Sequence, residues 1–381
     1  MRSVRRLSGY CLMTETDALL VLNAIPGIGS ARIRKLSAHY GSADRVLSLR
    51  ESDFLADQMI PPPIASDIVC FPKDSFLKKE HAYLDKEGVE VITYPQESYP
   101  ASLKEIPDAP FVLYVRGKIP EDIDLSVAIV GSRTASVYGT SVAEQFAARL
   151  AEAGVNIVSG MARGIDTAAH RGALRVRGVT VAVLGCGLAH IYPPENRKLF
   201  NQIIETGAVI SEFPMETLPL AFNFPRRNRL ISGLSKGVVV VEAAEKSGAL
   251  ITADCALEQG REVYAVPGKI DSPTSQGVHN LIKQGAKLVT CVEDILEDLH
   301  PQLAADLEQR PAPQSCPNED TATEGLTSEE QYVYRHIHDQ PVPIDHLLDQ
   351  CGSHVPSVSA VLLRLELKHL VKQLPGKLFV R

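Results

Sequence analysis

Six short runs of apolar, mostly β-branched residues punctuate the middle of the chain: SVAIVG (126–131), VNIVSG (155–160), TVAVLG (180–185), AVISE (208–212), GVVVVEA (237–243) and EVYAVPG (262–268). None alternates apolar with polar residues, so each is predicted to be a strand buried on both faces. Helical patterns fall between them. VYGTSVAEQFAARLAEAG (137–154) carries an apolar stripe and closes at Gly154, and ALITADCALEQG (249–260) closes at Gly260 in the same way. Strands and helices alternating like this predict an α/β fold, an extended Rossmann-like, doubly wound parallel sheet with helices on both faces.

At 381 residues the chain is too long for that sheet alone, because single cores stop growing at about 250–300 residues. A helical block covers 14–72, the sheet block 75–299, and a further apolar, periodic block 326–381. Between the last two, residues 300–325 read as a flexible linker: 301–325 holds four prolines, five acids and one arginine. In the first block, LLVLNAIPGIGSARIRKLSAHYGS (19–42) reads as helix, PGIG turn and helix, with Arg32, Arg34 and Lys35 on the second. Such a hairpin either offers backbone N–H groups to a phosphate or packs on the neighbouring domain. The following FLADQMIPPPIASDI reads as a helix stop and a loop.

Composition narrows the function classes. A net charge of −7 does not advertise a polyanion partner for the molecule as a whole, although a local field can oppose the average. Seven cysteines are scattered singly, without CxxC or His/Cys ligand spacing, which predicts reduced thiols in a cytoplasm and no zinc site. No signal-peptide pattern follows the basic start, and Met13 offers an alternative start. No apolar run reaches the roughly 18 residues of a membrane span.

In a doubly wound sheet the ligand crevice lies beyond the carboxyl ends of the strands. The first strand runs into Gly131-Ser132-Arg133-Thr134, and the second into Ser159-Gly160-Met161-Ala162-Arg163-Gly164. The third leads through Gly185-Cys186-Gly187 to Tyr192-Pro193-Pro194-Glu195-Asn196. The fourth ends at Glu212-Phe213-Pro214, ahead of FNFPRRNRLISGLSK (222–236), read as a loop. Arg133, Arg163, Arg226, Arg227 and Arg229 therefore fall on loops expected to converge on one rim. Between Glu216 and Glu242 there are four bases and no acid, which predicts a positive field around an anion. The competing reading is structural, with packing glycines and arginines paired to Asp166, Glu195 or Glu212.

The anion is not a dinucleotide or a nucleoside triphosphate by motif. GSRTASVYG replaces G-x-G-x-x-G after the first strand, PGIGSAR (26–32) follows a helix, and no P-loop is present. Catalysis lacks a constellation. Asp166 and His170 share one helix face without a nucleophile elbow, and Glu242 and Glu245 have no identifiable partner. No catalytic residue, cofactor or metal is expected.

The segments GSRTASVYG, VSGMARGIDTAAHRGAL, YPPENRKLF, ISEFP, FPRRNRLISGLSKGVVVVEAAEKSGALITADCALEQGREVYAVPG and QGVHNLIKQGAKLV resemble the DNA-processing protein A (Smf) family. The resemblance runs through residues 80–300, and the flanking blocks fit longer, three-domain members. It implies a recombination mediator that binds single-stranded DNA during natural transformation, protects it and loads RecA onto it. It further implies pairing of two copies through the sheet domain, which would raise avidity. By the same resemblance Gly131, Ser132 and Arg133 cradle a phosphate. Arg227 and Asn228 are the family's Arg-Asn pair, and Arg226 and Arg229 face the strand, with Arg229 stacked on a base. Ser159, Gly160 and Asn196 line the same pocket, with Arg163 on its rim.

The C-terminal block resembles a winged-helix domain with three helices and a β-wing. Its recognition-type helix (355–368) offers only Arg364 and Lys368, and the block has six acids and six bases, which favours a protein-contact or auxiliary role. A rival from another class is a nucleotide-hydrolysing enzyme of the lysine-decarboxylase-like group. Where those proteins carry PGG-x-GT-x-x-E, this chain reads EAAEKSGALITAD.

Overall fold

In a computed structural model the described residues are 13–299, 326–337, 342–351, 357–368, 370–374 and 376–380. The chain forms two compact units, Met1–Pro301 and Gln302–Arg381. The expected linker (300–325) and the stretch before Met13 lie outside the described residues.

The first unit opens with six helices: α1 (Glu15–Ala24), α2 (Ser30–Tyr40), α3 (Ala43–Ser48), α4 (Glu51–Asp57), α5 (Pro62–Cys70) and α6 (Lys73–Glu87). Thr14 caps α1 by accepting the Asp17 N–H at 3.1 Å. The PGIG turn separates α1 from α2 as expected. The loop expected in PPPIASDI is instead the start of α5. Its prolines occupy the cap and first turn, where a missing N–H removes no helical bond. These helices share a core with the sheet: Leu19, Leu22 and Ile33 lie in one buried cluster with Tyr114, Leu184 and Phe200.

Nine strands follow: β1 (Glu90–Thr93), β2 (Val112–Gly117), β3 (Ser126–Val130), β4 (Asn156–Ser159), β5 (Thr180–Val183), β6 (Ala208–Ser211), β7 (Gly237–Val240), β8 (Glu262–Ala265) and β9 (Lys287–Leu288). Their order is β1-β2-β6-β5-β4-β3-β7-β8-β9. From β6 to β9 all pairs are parallel, while β1 and β2 extend the β6 edge antiparallel. The six apolar runs of the sequence are β3 to β8, and each is buried along nearly its whole length. The edge strands β1 and β9 are partly exposed, so their composition carries a weaker signal.

The remaining helices of this unit are α7 (Ala101–Lys104), α8 (Val137–Glu152), α9 (Ile165–Arg175), α10 (Arg197–Thr206), α11 (Asn223–Gly233), α12 (Gly248–Glu258), α13 (Gln276–Lys283) and α14 (Glu293–Leu299). Alternate residues of one strand serve opposite faces. Ala182 packs with Phe200 and Ile203 of α10, whereas its neighbours Val181 and Val183 pack with Leu230 and Ile231 of α11. The sheet is thus covered on both sides, as a doubly wound fold requires.

One sequence expectation is corrected here. The arginine-rich stretch is not a loop: from Asn223 it is helix α11. Pro225 sits in the first turn, where its ring and missing N–H are tolerated, and arginine is a good helix former. Leu230, Ile231 and Leu234 are buried on the side facing the sheet.

The second unit contains α15 (Ser328–Arg335), α16 (Ile344–Cys351) and α17 (Val358–Leu367) with a three-stranded antiparallel sheet. Its strands are β10 (Val342–Pro343), β11 (Lys372–Leu374) and β12 (Leu378–Val380), in order β10-β12-β11. Val333, Leu347, Val361, Leu365 and Phe379 form its core. This is the three-helix, β-wing arrangement read from the sequence.

Candidate nucleic-acid interface

The strand order reverses at β3. From there the chain builds outward through β4, β5 and β6 on one side and through β7 and β8 on the other. The crevice at such a switch point lies beyond the carboxyl ends of the two central strands. A cleft of about 650 Å³ occupies that place, within the roughly 300–1,000 Å³ of small-ligand sites. The β3 loop supplies Gly131, Ser132 and Arg133 to one wall. The β7 loop supplies Lys246, Ser247 and Gly248 to the facing wall, where α12 begins. The first turn of α11 closes the cleft with Phe224 and Pro225.

Arg133 and Lys246 are exposed, and among the described residues neither forms a salt bridge. The Arg133 guanidinium lies over the Phe224 ring, 5.1 Å from its centroid, and the Tyr192 ring is 5.7 Å from Phe224. Phe224 can approach the sheet because residue 185 is glycine: a Cβ there would stand 2.8 Å from the Phe224 ring. A smaller hollow continues from the same residues, lined by Arg133, Gly160, Arg163, Tyr192 and Phe224. The segment leading into α11 lends Pro219 and Ala221 to the cleft lining, while the intervening Leu218, Leu220 and Phe222 are exposed and are not part of that lining.

The three arginines of α11 have three different fates. Arg226 is exposed, its guanidinium 5.2 Å from the Phe213 ring centroid. Arg227 is buried. It donates to the carbonyl of Gly160 at 2.8 Å, to that of Val183, and to Asn228 Oδ1 at 3.2 Å. Gly160 is required there, since a Cβ would collide with the Arg227 guanidinium. Desolvation lowers the Arg227 pKa to about 10, with Asp166 acting in the opposite sense. Arg229 is ion-paired, its Nε 2.9 Å from Asp108 and its Nη2 on the buried Glu212 carboxylate. The expected stacking of Arg229 on a base is therefore not what this structure shows; two carboxylates hold its guanidinium. The pairing alternative raised by the sequence applies to Arg229 with Glu212 and to Arg163 with Glu195.

Other expected pocket residues are internal. Ser159 donates to the Ile129 carbonyl at 2.7 Å, and Asn196 donates to the Met161 carbonyl and to Thr167. Both are buried and shape the loop without facing the cleft. Asn228 lines the cleft, its Nδ2 3.1 Å from the Gly248 carbonyl at the start of α12.

The titratable groups nearby have structural partners. Glu242 accepts from the Ser136 N–H at 2.9 Å and from its hydroxyl, at the start of α8. Asp166 accepts the Ala162 N–H at 3.3 Å, and burial raises its pKa against the pull of Arg227. His170 is fully buried, its Nδ1 2.7 Å from the Thr180 hydroxyl. That hydroxyl donates to the Ile157 carbonyl, so Nδ1 is the donor. Among the described residues no cluster of His, Cys, Asp and Glu is arranged to hold a metal ion, and no helix is long and apolar enough to cross a membrane.

A family model described as DNA recombination-mediator protein A matches residues 90–300, the span that builds the cleft. The chain belongs to that family. A second model, the DprA winged helix domain, matches residues 317–377. The chain is 44% identical over 368 residues to Protein Smf of Escherichia coli (strain K12), covering 96% of this chain and 95% of the relative. It is similar to the X-ray structure of DNA processing protein A from Streptococcus pneumoniae, with TM-score 0.65 and 37% identity over 76% of this chain and 99% of that one. DNA processing protein A from Helicobacter pylori, whose structure is described for its single-stranded DNA binding mode, gives TM-score 0.51 and 28% identity over 56% and 96%.

For a member of the DNA recombination-mediator protein A family, sequence reasoning missed several cleft residues, among them Lys246, Phe224 and Tyr192. Lys246 follows a strand end, as Arg133 does, and the same rule applied to β7 finds it. Phe224 was hidden because a Phe-Pro step reads as a chain-direction device. In the winged-helix unit, Arg364 and Lys368 both pair with the buried Glu330, at 3.3 and 2.8 Å.

Proposed function

We propose that the chain binds single-stranded DNA in the cleft between the β3 and β7 loops and acts as a non-enzymatic recombination mediator. The observation that carries this reading is the Arg133–Phe224 pair facing Lys246. Two cations without a salt bridge among the described residues accompany an aromatic ring in a partly apolar cleft, the combination that takes phosphates and unstacked bases without regard to sequence. The carboxylate and imidazole groups around the cleft are engaged in capping and burial, which supports binding over turnover. Gly131 and Ser132 sit where a phosphate would pass beside Arg133, whereas Arg226 is exposed over Phe213 and is not among the residues lining the cleft.

Delivery of the bound strand to RecA and pairing of two copies through the sheet unit complete the reading, and both rest on family resemblance. Two clefts on one strand would raise avidity without new contacts. The chain would work in the cytoplasm, where its free thiols stay reduced.

A titration with labelled single-stranded DNA, duplex and a nucleoside monophosphate tests the proposal. Tight binding of the single strand, weaker binding of duplex and unaltered mononucleotide are expected. Hydrolysis of the mononucleotide without single-strand binding would favour a nucleotide-processing enzyme instead.

A further inference from the structure

Of the three arginines of α11 only Arg227 lines the cleft; Arg229, like Arg226, does not. Its two acidic partners come from elsewhere: Asp108 precedes β2, and Glu212 follows β6. Both partner segments are held by the N-terminal helices. Asn23 of α1 donates to the Glu212 carbonyl at 2.8 Å. Arg34 of α2 donates to the carbonyl of Pro107, next to Asp108, at 3.0 Å. One chain of contacts thus runs from α1 and α2 through two loops to the middle of α11.

Stability is a poor reason for this arrangement. Arg229 Nη1 and Glu212 Oε1 are buried without hydrogen-bond partners, and an incompletely satisfied buried pair repays little of its desolvation cost. Such a pair is better suited to fixing one geometry. The geometry at stake is the orientation of α11, whose first turn carries Phe224 against Arg133. A helix moves nearly as a rod, so a shift at Arg229 is felt at Phe224.

We infer that Arg229 is a positioning residue through which the N-terminal helices set the Phe224–Arg133 spacing, and so the single-strand affinity, without touching DNA. This inference rests on the proposed single-strand function of the cleft. It assigns α1 and α2 a role in shaping the site from behind.

The test uses the full chain carrying Asn23→Ala or Asp108→Asn, because Arg229→Ala risks leaving Glu212 buried and unpaired. Anisotropy with a labelled oligonucleotide is measured across salt, with hydrogen exchange over 223–233 and the melting temperature. Each variant is expected to bind roughly tenfold more weakly, the scale of coupling within one contact network, with an unchanged salt slope and faster exchange in α11. Asp108→Asn is the sharper arm. Removing a negative charge should tighten DNA binding by simple electrostatics, and the inference requires the opposite. Unchanged affinity and exchange with a lowered melting temperature would overturn it, as would tighter binding by Asp108→Asn. If the wild-type chain binds no single strand, the cleft reading fails, while hydrogen exchange still reports whether Asn23 governs α11.

Discussion

Arg133 and Phe224 meet across the mouth of the cleft, the guanidinium 5.1 Å from the ring centroid. One residue lies in the loop after the central strand β3, and the other stands in the first turn of α11. Their contact joins the charge that would hold a phosphate to the plane that would hold a base. Phe224→Ala is expected to weaken single-strand binding by roughly 1–3 kcal/mol, the worth of one stacked base, with the salt slope unchanged. Phe224→Tyr should retain most of the affinity. Equal losses in both variants, measured by anisotropy, would mean that the ring packs without stacking.

Arg227 gives a contrasting expectation. It is buried and bridges the Gly160 and Val183 carbonyls, so its loss leaves buried acceptors unpaired. Arg227→Gln should cost about 2–5 kcal/mol of stability, seen as a lower midpoint in thermal or urea unfolding. Any fall in DNA binding should track the unfolded fraction. A stable variant with selectively lost binding would place Arg227 in the ligand contact after all.

His170 supplies a pH signature. Burial, with Arg227 adding repulsion, lowers its folded-state pKa to about 3. The folded state therefore favours the neutral ring. This contribution is fully present above the unfolded pKa of about 6.5 and is lost as pH falls toward 3, at up to about 1.4 kcal/mol per unit. Denaturant unfolding of the wild type between pH 6.5 and 4 should show that slope, and a folded His170→Gln variant should lack it. Parallel profiles would show that another group governs the acid limb.

The winged-helix unit should add little to DNA affinity. Its recognition-type helix spends Arg364 and Lys368 on Glu330, leaving few charges for phosphates. Removing residues 302–381 is expected to leave single-strand affinity within about a factor of two, since no phosphate contact is lost. A larger drop, with a shallower salt dependence, would return DNA contact to this unit.

Much of what was legible in the sequence follows from burial, although the buried apolar strand β2 (Val112–Gly117) was not among the six runs read as strands. Strands β3 to β8 are covered on both faces, so their apolar runs stand out. The exposed edges β1 and β9 do not, because half-buried strands share their composition with loops. Strand-end logic located Arg133 and the Gly131–Ser132 turn but treated RRNR as a single cluster of charge. The separate fates of Arg226, Arg227 and Arg229 depend on partners distant in the chain, Phe213, Gly160, Val183, Asp108 and Glu212. Only the folded sheet brings those together. The helical state of this stretch was masked by Pro225, which reads as a breaker until its first-turn position is known.

The most direct test of the cleft as a single-strand site is the salt dependence of binding, compared between the wild type and an Arg133→Ala/Lys246→Ala variant. Each phosphate neutralised contributes about 0.7 to the slope of log affinity against log salt. The wild-type slope should therefore exceed that of the variant by roughly 1.4, with the variant's melting temperature unchanged and duplex bound more weakly than single strand throughout. Identical slopes for the two proteins, or equal affinity for duplex and single strand, would contradict the account.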